Sequence, residues 1–224
     1  AAKLAHPRIV PVYTSGSDSG IRFYAMMLVP GVSLDRLIEW LREYPQGVTD
    51  DDLRRIVAGE QDTPRPLTAG ADVPATQHVI RRNSWVQFAK IGVQICVAMG
   101  HAHTRSILHR DIKPGNIKVA HNQRVVLVDF GLAKYLSSEV TEVGARGATP
   151  GYSPPEQYSG GTDPRSDIYS LGATLYLLLT GQRPPDAIQL ATGETLTPPH
   201  DLNPALQPNT ERVILRAMQK RAAD

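Results

Sequence analysis

A chain of 224 residues, 41% hydrophobic and 21% charged, has ordinary globular usage and can bury a sizeable core as one large domain or two small lobes. The formal net charge of +2, with no basic run or arm, removes any electrostatic case for nucleic acid. A lone cysteine, Cys96, excludes an internal disulfide and fits a reducing, cytoplasmic compartment. No apolar run reaches membrane-spanning length, since "LYLLLT" (Leu175 to Thr180) is broken at once by Gly181 and Pro184. No membrane contact is therefore expected within this stretch, although an anchor elsewhere in a longer chain is left open.

Taken in chain order, apolar and β-branched residues at Ile9 to Tyr13 and Ile21 to Leu28 flank "TSGSDSG", which predicts a hairpin. Pro30-Gly31 ends the second strand. Ser33 is then placed to cap a helix in which Leu34, Leu37, Ile38 and Leu41 keep helical spacing until Pro45. From about 45 to 84 the texture changes, with Pro64, Pro66 and Pro74 among polar residues. Within it Thr49, three residues before Asp52, predicts a capping-box start to a short, solvated helix; the rest is expected as loop in a surface insertion.

Phe88, Ile91, Ile95, Ala98 and Ala102 recur at steps of three and four, so Trp85 to Thr104 is expected as an amphipathic helix with Cys96 as a small core residue. Short strands are expected at "SIL" (106–108), "NIKV" (116–119) and "RVVLVD" (124–129). "SDIYSLGATLYLLLTG" (166–181), apolar nearly all round, predicts a buried helix with Ser166 as N-cap and Gly181 as stop. A last helix from Asn209 or Thr210 to about Arg221 carries Val213, Ile214, Ala217 and Met218.

The chemistry concentrates in "HRDIKPGN" (109–116) and "DFG" (129–131). Pairing "NIKV" with "RVVLVD" around "AHNQ" sets Asn116 beside Asp129. An amide oxygen and a carboxylate then converge, hard donors that suit Mg²⁺ with phosphate oxygens completing its shell. Asp111 sits on the loop feeding the same mouth, where it can orient a hydroxyl and accept its proton. Lys113 can reach the same side and neutralise phosphate charge. Such a set meets the needs of in-line phosphoryl transfer to an alcohol.

"HRDIKPGN", "DFG" and "PPE" (154–156), in this order and at these separations, resemble the eukaryotic-like serine/threonine protein kinases of bacteria, for which the motif set is a known signature. The likeness extends over nearly the whole chain outside 45–84. It implies an α+β, protein kinase-like fold, with residues 1–30 as a remnant small-lobe hairpin and hinge and 31–224 as a mainly helical large lobe. It implies a catalytic base at Asp111, phosphate contact by Lys113, a hydrogen bond from Thr149 to both, and Mg²⁺ held by Asn116 and Asp129. ATP would meet the backbone of Met27 and Val29 at the hinge, beyond a gatekeeper at Met26, with Lys118 packing under the adenine through its stem. His109 and Phe130 would stack with Val12, Gly131 completes the second motif, and Arg110 would tie to the activation segment. Asp167 would accept backbone N–H groups of the catalytic loop, and Glu156 would pair with an arginine past Asp224. The usual activation-loop phosphorylation position falls near Ala145, leaving Ser137, Ser138 and Thr141 as candidates.

No glycine-rich loop or nucleotide lysine precedes the hairpin, and the resemblance puts those parts before Ala1, so a fragment is expected. Protein serine/threonine phosphorylation is the leading reading. A pseudokinase-like interaction domain is the alternative, motivated by that missing lysine and loop, and a small-molecule phosphotransferase is a third. "HAH" (101–103) could suggest metal ligation, but alternate residues of a helix point apart, and a helix surface and its end is the simpler expectation.

Overall fold

The computed structural model describes residues 4–19, 21–44, 46–67, 79–80, 85–120, 123–130, 148–159 and 161–219. β1 (Val12–Asp18) and β2 (Ile21–Met26) form an antiparallel ladder that runs from Val12↔Met26 to Asp18↔Ile21, with an irregularity at Tyr13. The predicted hairpin is present, but most of the expected turn belongs to a strand: Thr14 to Asp18 are all paired. The small residues allow this. The Phe23 ring lies across Gly16, where a Cβ would approach its Cζ to 2.8 Å. Backbone bonds tie the ladder to the body, with Val10 N–H donating to Leu127 O at 2.9 Å and Leu127 N–H to Arg8 O at 2.9 Å.

The second sheet, of three strands, has the order β3 (Val32–Ser33), β6 (Ile117–Val119), β7 (Val125–Leu127), all antiparallel. The two strands pair as expected, in the register Ile117↔Leu127 and Val119↔Val125, which sets Asn116 against Val128, one residue before the expected Asp129. The segment "SIL", expected as a strand, makes none: Ile107 N–H donates back to Ala102 O at 3.1 Å, and the bridge to Leu127 is made by Ile9. α1 (Leu34–Glu43) follows β3 directly, with Ser33 at the N-cap position but without a side-chain capping bond. It buries Leu34, Leu37, Ile38, Trp40 and Leu41 and leaves its charged face in water.

The segment expected as loop is anchored at both ends. β4 (Val48–Thr49) pairs with β5 (Val79–Ile80), and α2 (Asp50–Val57) lies between them in sequence. The predicted capping box is formed: Thr49 Oγ1 accepts from Asp52 N–H at 3.0 Å and Asp52 Oδ2 accepts from Thr49 N–H at 3.0 Å. The helix start is not simply solvated, because Asp52 is only 4% exposed and also accepts from Arg65 N–H and Gln61. Val48, Leu53 and Ile80 join the main core.

α3 (Trp85–His103) buries the predicted stripe of Phe88, Ile91, Ile95, Ala98 and Ala102. Cys96 is not in it. It faces outward with Val93 and Val97, because the stripe occupies the other side of the helix. Beyond α4 (Pro155–Ser159), α5 (Pro164–Thr180) is the expected buried helix, ended by Gly181 in the left-handed region at φ 74°. Its N-cap is Asp163, three residues before the expected Ser166, which instead completes a capping box from the third helical position. The buried hydroxyls of Ser170, Thr174 and Thr180 each donate to the carbonyl four residues back, satisfying groups that no water reaches.

α6 (Ala187–Ala191) and α7 (Pro199–Leu202) lead to α8 (Pro208–Ala217), which packs on α5 through Ile214 and Met218, whereas Val213 is 63% exposed. The α5–α8 crossing is close because Gly172 has no side chain: a Cβ there would lie 2.9 Å from Ala217 Cβ and Met218 Cγ. Among the described residues no helix is long and apolar enough to cross a membrane.

Two predictions follow from this packing. Gly172→Ala should lower unfolding free energy by about 1–3 kcal/mol through overpacking, while Gly100→Ala on the open face of α3 should raise it by about 0.5–1 kcal/mol; chemical denaturation of both variants checks the pair. Burial pushes the Asp52 carboxyl up, but its hydrogen bonds from Thr49, Arg65 and Gln61 outweigh burial and hold its pKa below the ordinary aspartate value. The contribution is therefore present above the unfolded value and lost as pH falls through the folded one. Stability of the wild type should fall more steeply than that of Asp52→Asn between about pH 5 and about pH 2.

Candidate functional site

The loop between α3 and β6 is built on one buried carboxylate. Asp167, in the first turn of α5 and 1% exposed, accepts from His109 N–H at 2.8 Å and from Arg110 N–H at 2.7 Å, the bonds the sequence led us to expect. His103 Nε2 lies 2.8 Å from the same carboxylate, so this histidine is not a bystander at the helix end. Its outward-looking position in "HAH" hid that role, which only the approach of α5 reveals. Arg110 takes a left-handed backbone, φ 65°, and its carbonyl accepts from Gln157 Nε2 at 2.8 Å. Gln157, buried on α4, was missed in the sequence because a glutamine after "PPE" carries no spacing signal.

His109 is fully buried, and that burial lowers its pKa and keeps the ring neutral. Asp111 N–H points at its Nδ1 at 3.3 Å, which makes Nδ1 the acceptor and directs Nε2–H to Val128 O at 3.1 Å. The ring packs against Phe130 with centroids 4.5 Å apart and planes tilted by 40°.

After the bend the chain passes Lys113 in extended form and makes a 3₁₀ turn over Pro114–Asn116. That turn gathers the polar groups. Asp111 Oδ1 accepts from Thr149 Oγ1 at 2.8 Å. Asp111 Oδ2 accepts from Asn116 Nδ2 at 2.8 Å and pairs with Lys113 Nζ at 2.8 Å. Lys113 Nζ also stands 3.4 Å from Thr149 Oγ1, and Thr149 is set by its N–H donating to Ser153 Oγ at 2.8 Å. Burial pushes the Asp111 carboxyl up, yet the bonds from Lys113, Thr149 and Asn116 prevail and its pKa is lowered. It is a carboxylate, and an acceptor, at neutral pH.

Val128 N–H donates to Asn116 O at 3.0 Å, so Asp129 follows directly on the residue paired with Asn116. Asn116 Nδ2 is committed to Asp111, which turns Oδ1 into its available donor atom. Asp129 has a left-handed backbone, φ 54°, and its Oδ1 accepts from the Tyr24 hydroxyl at 2.5 Å. That bond, with burial and the carboxylate charge, pushes the Tyr24 phenol up to about 12. No motif in the sequence marks Tyr24, although period-2 alternation along β2 places it on the same face as Met26. One amide and one carboxylate oxygen are a small donor set. It suits Mg²⁺, which keeps few protein ligands and completes its shell with phosphate and water, and among the described residues no cluster of three or more His, Cys, Asp or Glu competes with it.

Around this mouth, Val29 is buried and Met27 half-buried against Val10, Val126 and Val128. Met27 N–H donates to Pro11 O at 2.9 Å. Lys118 pairs directly across from Val126 in the ladder and so shares its face. On the other side of Lys113 and Thr149 opens a cavity of about 530 Å³, lined also by Asp35, Glu39, Tyr152 and Arg183. Glu156 accepts from Ser166 Oγ at 2.9 Å, a partner within this chain that the sequence did not suggest. Gly131, Ser137, Ser138, Thr141 and Ala145 lie outside the described residues, as does any contact of Arg110 with them.

The sequence model of the protein kinase domain matches residues 69–197, more than half of the chain. The chain is 34% identical over 230 residues to the serine/threonine-protein kinase PknB of Mycolicibacterium smegmatis, covering 98% of this chain and 31% of that protein. Against PrkC of Bacillus subtilis, also a serine/threonine-protein kinase, identity is 32% over 228 residues, 98% of this chain and 29% of that protein. A solved structure described as the apo form of PpkA-294 superposes with a TM-score of 0.58, over 98% of this chain and 65% of that one; at 24% identity this likeness bears on the fold alone. The chain thus spans about a third of the length of the curated relatives it matches. Its ordered motifs, its α+β architecture and the match across more than half its length agree: the chain belongs to the protein kinase domain family.

Proposed function

We propose that the protein transfers the γ-phosphoryl group of ATP to serine or threonine hydroxyls of protein substrates, with residues 1–30 in the smaller lobe and 31–224 in the larger. The observation that carries this reading is the single hydrogen-bonded cluster of Asp111, Lys113, Asn116 and Thr149. A carboxylate offers about four acceptor sites. At Asp111 the donors Thr149, Lys113 and Asn116 use three, two of them on Oδ2, so one site on Oδ1 remains for an incoming hydroxyl. Asp111 is the general base that orients that hydroxyl and takes its proton. Lys113, held between Asp111 and Thr149, offsets the charge of the phosphoryl oxygens.

Asn116 Oδ1 and the Asp129 carboxylate would hold Mg²⁺, whose charge offsets that of the nucleotide phosphates when bound. Met27 and Val29 would meet the adenine through their backbones, with the Lys118 stem beneath it. Asp167 holds the loop from behind, and Glu156 and Gln157 hold the segment that carries Thr149. The cavity beside Lys113 and Thr149 offers a polypeptide a route past the base.

In the full-length protein, Asp111→Asn should lower turnover about 10²–10⁴-fold while leaving ATP affinity within a factor of about two. Steady-state phosphorylation of a test protein with nucleotide binding measured in parallel checks this, and unchanged turnover would refute the assignment. Because the Asp111 pKa is lowered, its ionisation should not limit the rate down to about pH 5, so an acidic limb above that pH would argue against this carboxylate as the base.

A further inference from the structure

Resting on the reading of Asp129 as a metal ligand, we infer that Tyr24 is a positioning residue for the metal site, holding the Asp129 carboxylate by a hydrogen bond from the opposite sheet. The two residues are 105 positions apart in sequence, and the 2.5 Å bond joins β2 to the residue two beyond β7. Asp129 needs such a restraint. It leaves the ladder after Leu127 and turns through a left-handed backbone, so the sheet alone does not fix its side chain.

The chemistry of the bond fits support more than obstruction. A phenol donates one hydrogen to one carboxylate oxygen, Oδ1. The other oxygen is left for a cation, and the torsion of the carboxylate is set by two points in place of one. Hydrogen bonds behind a ligating carboxylate commonly tune metal affinity about 10–100-fold. Tyr24 also stands on the face of β2 that carries Met26, the expected gatekeeper, while Phe23 turns the other way across Gly16. The hairpin's orientation toward the large lobe is thereby linked to the geometry of the metal site, which no residue of the catalytic loop accomplishes by itself.

The test uses Mn²⁺ as a paramagnetic probe, titrated with ADP into the full-length protein and read by water-proton relaxation. Tyr24→Phe removes only the hydroxyl and should weaken Mn²⁺ affinity about 10–100-fold, with the variant still folded at the assay temperature and its metal-free ADP affinity unchanged. Unchanged or tighter Mn²⁺ binding by Tyr24→Phe would overturn the inference, the tighter result marking the phenol as a competitor of the metal. Asp129→Asn separates the two levels. Loss of Mn²⁺ binding in that variant together with wild-type binding by Tyr24→Phe would sink the role of Tyr24 alone. Wild-type binding by Asp129→Asn would sink the ligand assignment, and the role of Tyr24 with it.

Discussion

A carboxylate that is almost wholly withdrawn from water is costly unless both its oxygens are hydrogen-bonded, and Asp167 is answered by two backbone N–H groups and an imidazole. Hydrogen bonds to a charged group contribute about 1.5–3 kcal/mol each. They offset the cost of about 1–2 kcal/mol for the left-handed turn at Arg110. The dependence runs in one direction. Asp167 is fixed because α5 is buried on nearly every side, and the loop bends where it does because Asp167 is fixed. The hydroxyls of Ser170, Thr174 and Thr180, satisfied within the helix, let α5 sit in the core without calling on loop groups that the site requires.

From that bend the rest of the site follows with little freedom. His109 is directed inward, where Val128 O and Phe130 confine it, and Asp111 is directed outward. The 3₁₀ turn at Pro114–Asn116 then returns Asn116 to the Asp111 backbone and side chain at 2.8 Å. Two segments distant in sequence, around Thr149 and around Asp129, close on this frame through one hydroxyl and one backbone bond. Electrostatics reinforces geometry here: the donors that orient Asp111 also keep it ionised against the effect of burial.

What the sequence disclosed was the part governed by periodicity and by ordered motifs. The stripe of α3, the hairpin of β6 and β7 and the capping box at Thr49 depend on near neighbours, and each is where local pattern puts it. The losses came where a distant element decides. Cys96 reads as core in an apolar run, but the side of α3 that meets α5 is chosen by the stripe, and Cys96 is off it. Ser166 is a good cap by type, yet Asp163-Pro164 begins the helix earlier, since proline suits its first position. "SIL" has strand composition, but its Ile107 N–H is taken by Ala102 O at the end of α3. Within the site, Asp111, Lys113, Asn116 and Asp167 could be named in advance from motif resemblance. His103, Gln157 and Tyr24 could not, because each acts on a residue 47 to 105 positions away with no local spacing to betray it.

Arg110 and Asp129 are both left-handed, and neither is glycine. Glycine would adopt either conformation without the Cβ penalty, so the side chains must answer a need that a relaxed backbone would not meet. The two positions adjoin the buried pair His109 and Phe130, which makes them the points at which the loop and the segment of Asp129 turn outward from a common core. At each, a bond from another element opposes the strain: Asp167 to the Arg110 N–H, Tyr24 to the Asp129 carboxylate. Strained backbone persists only when its surroundings over-determine it. Here they do so at both positions beside one aromatic contact, which fixes where Asp111 and the Asp129 carboxylate leave the buried pair His109 and Phe130.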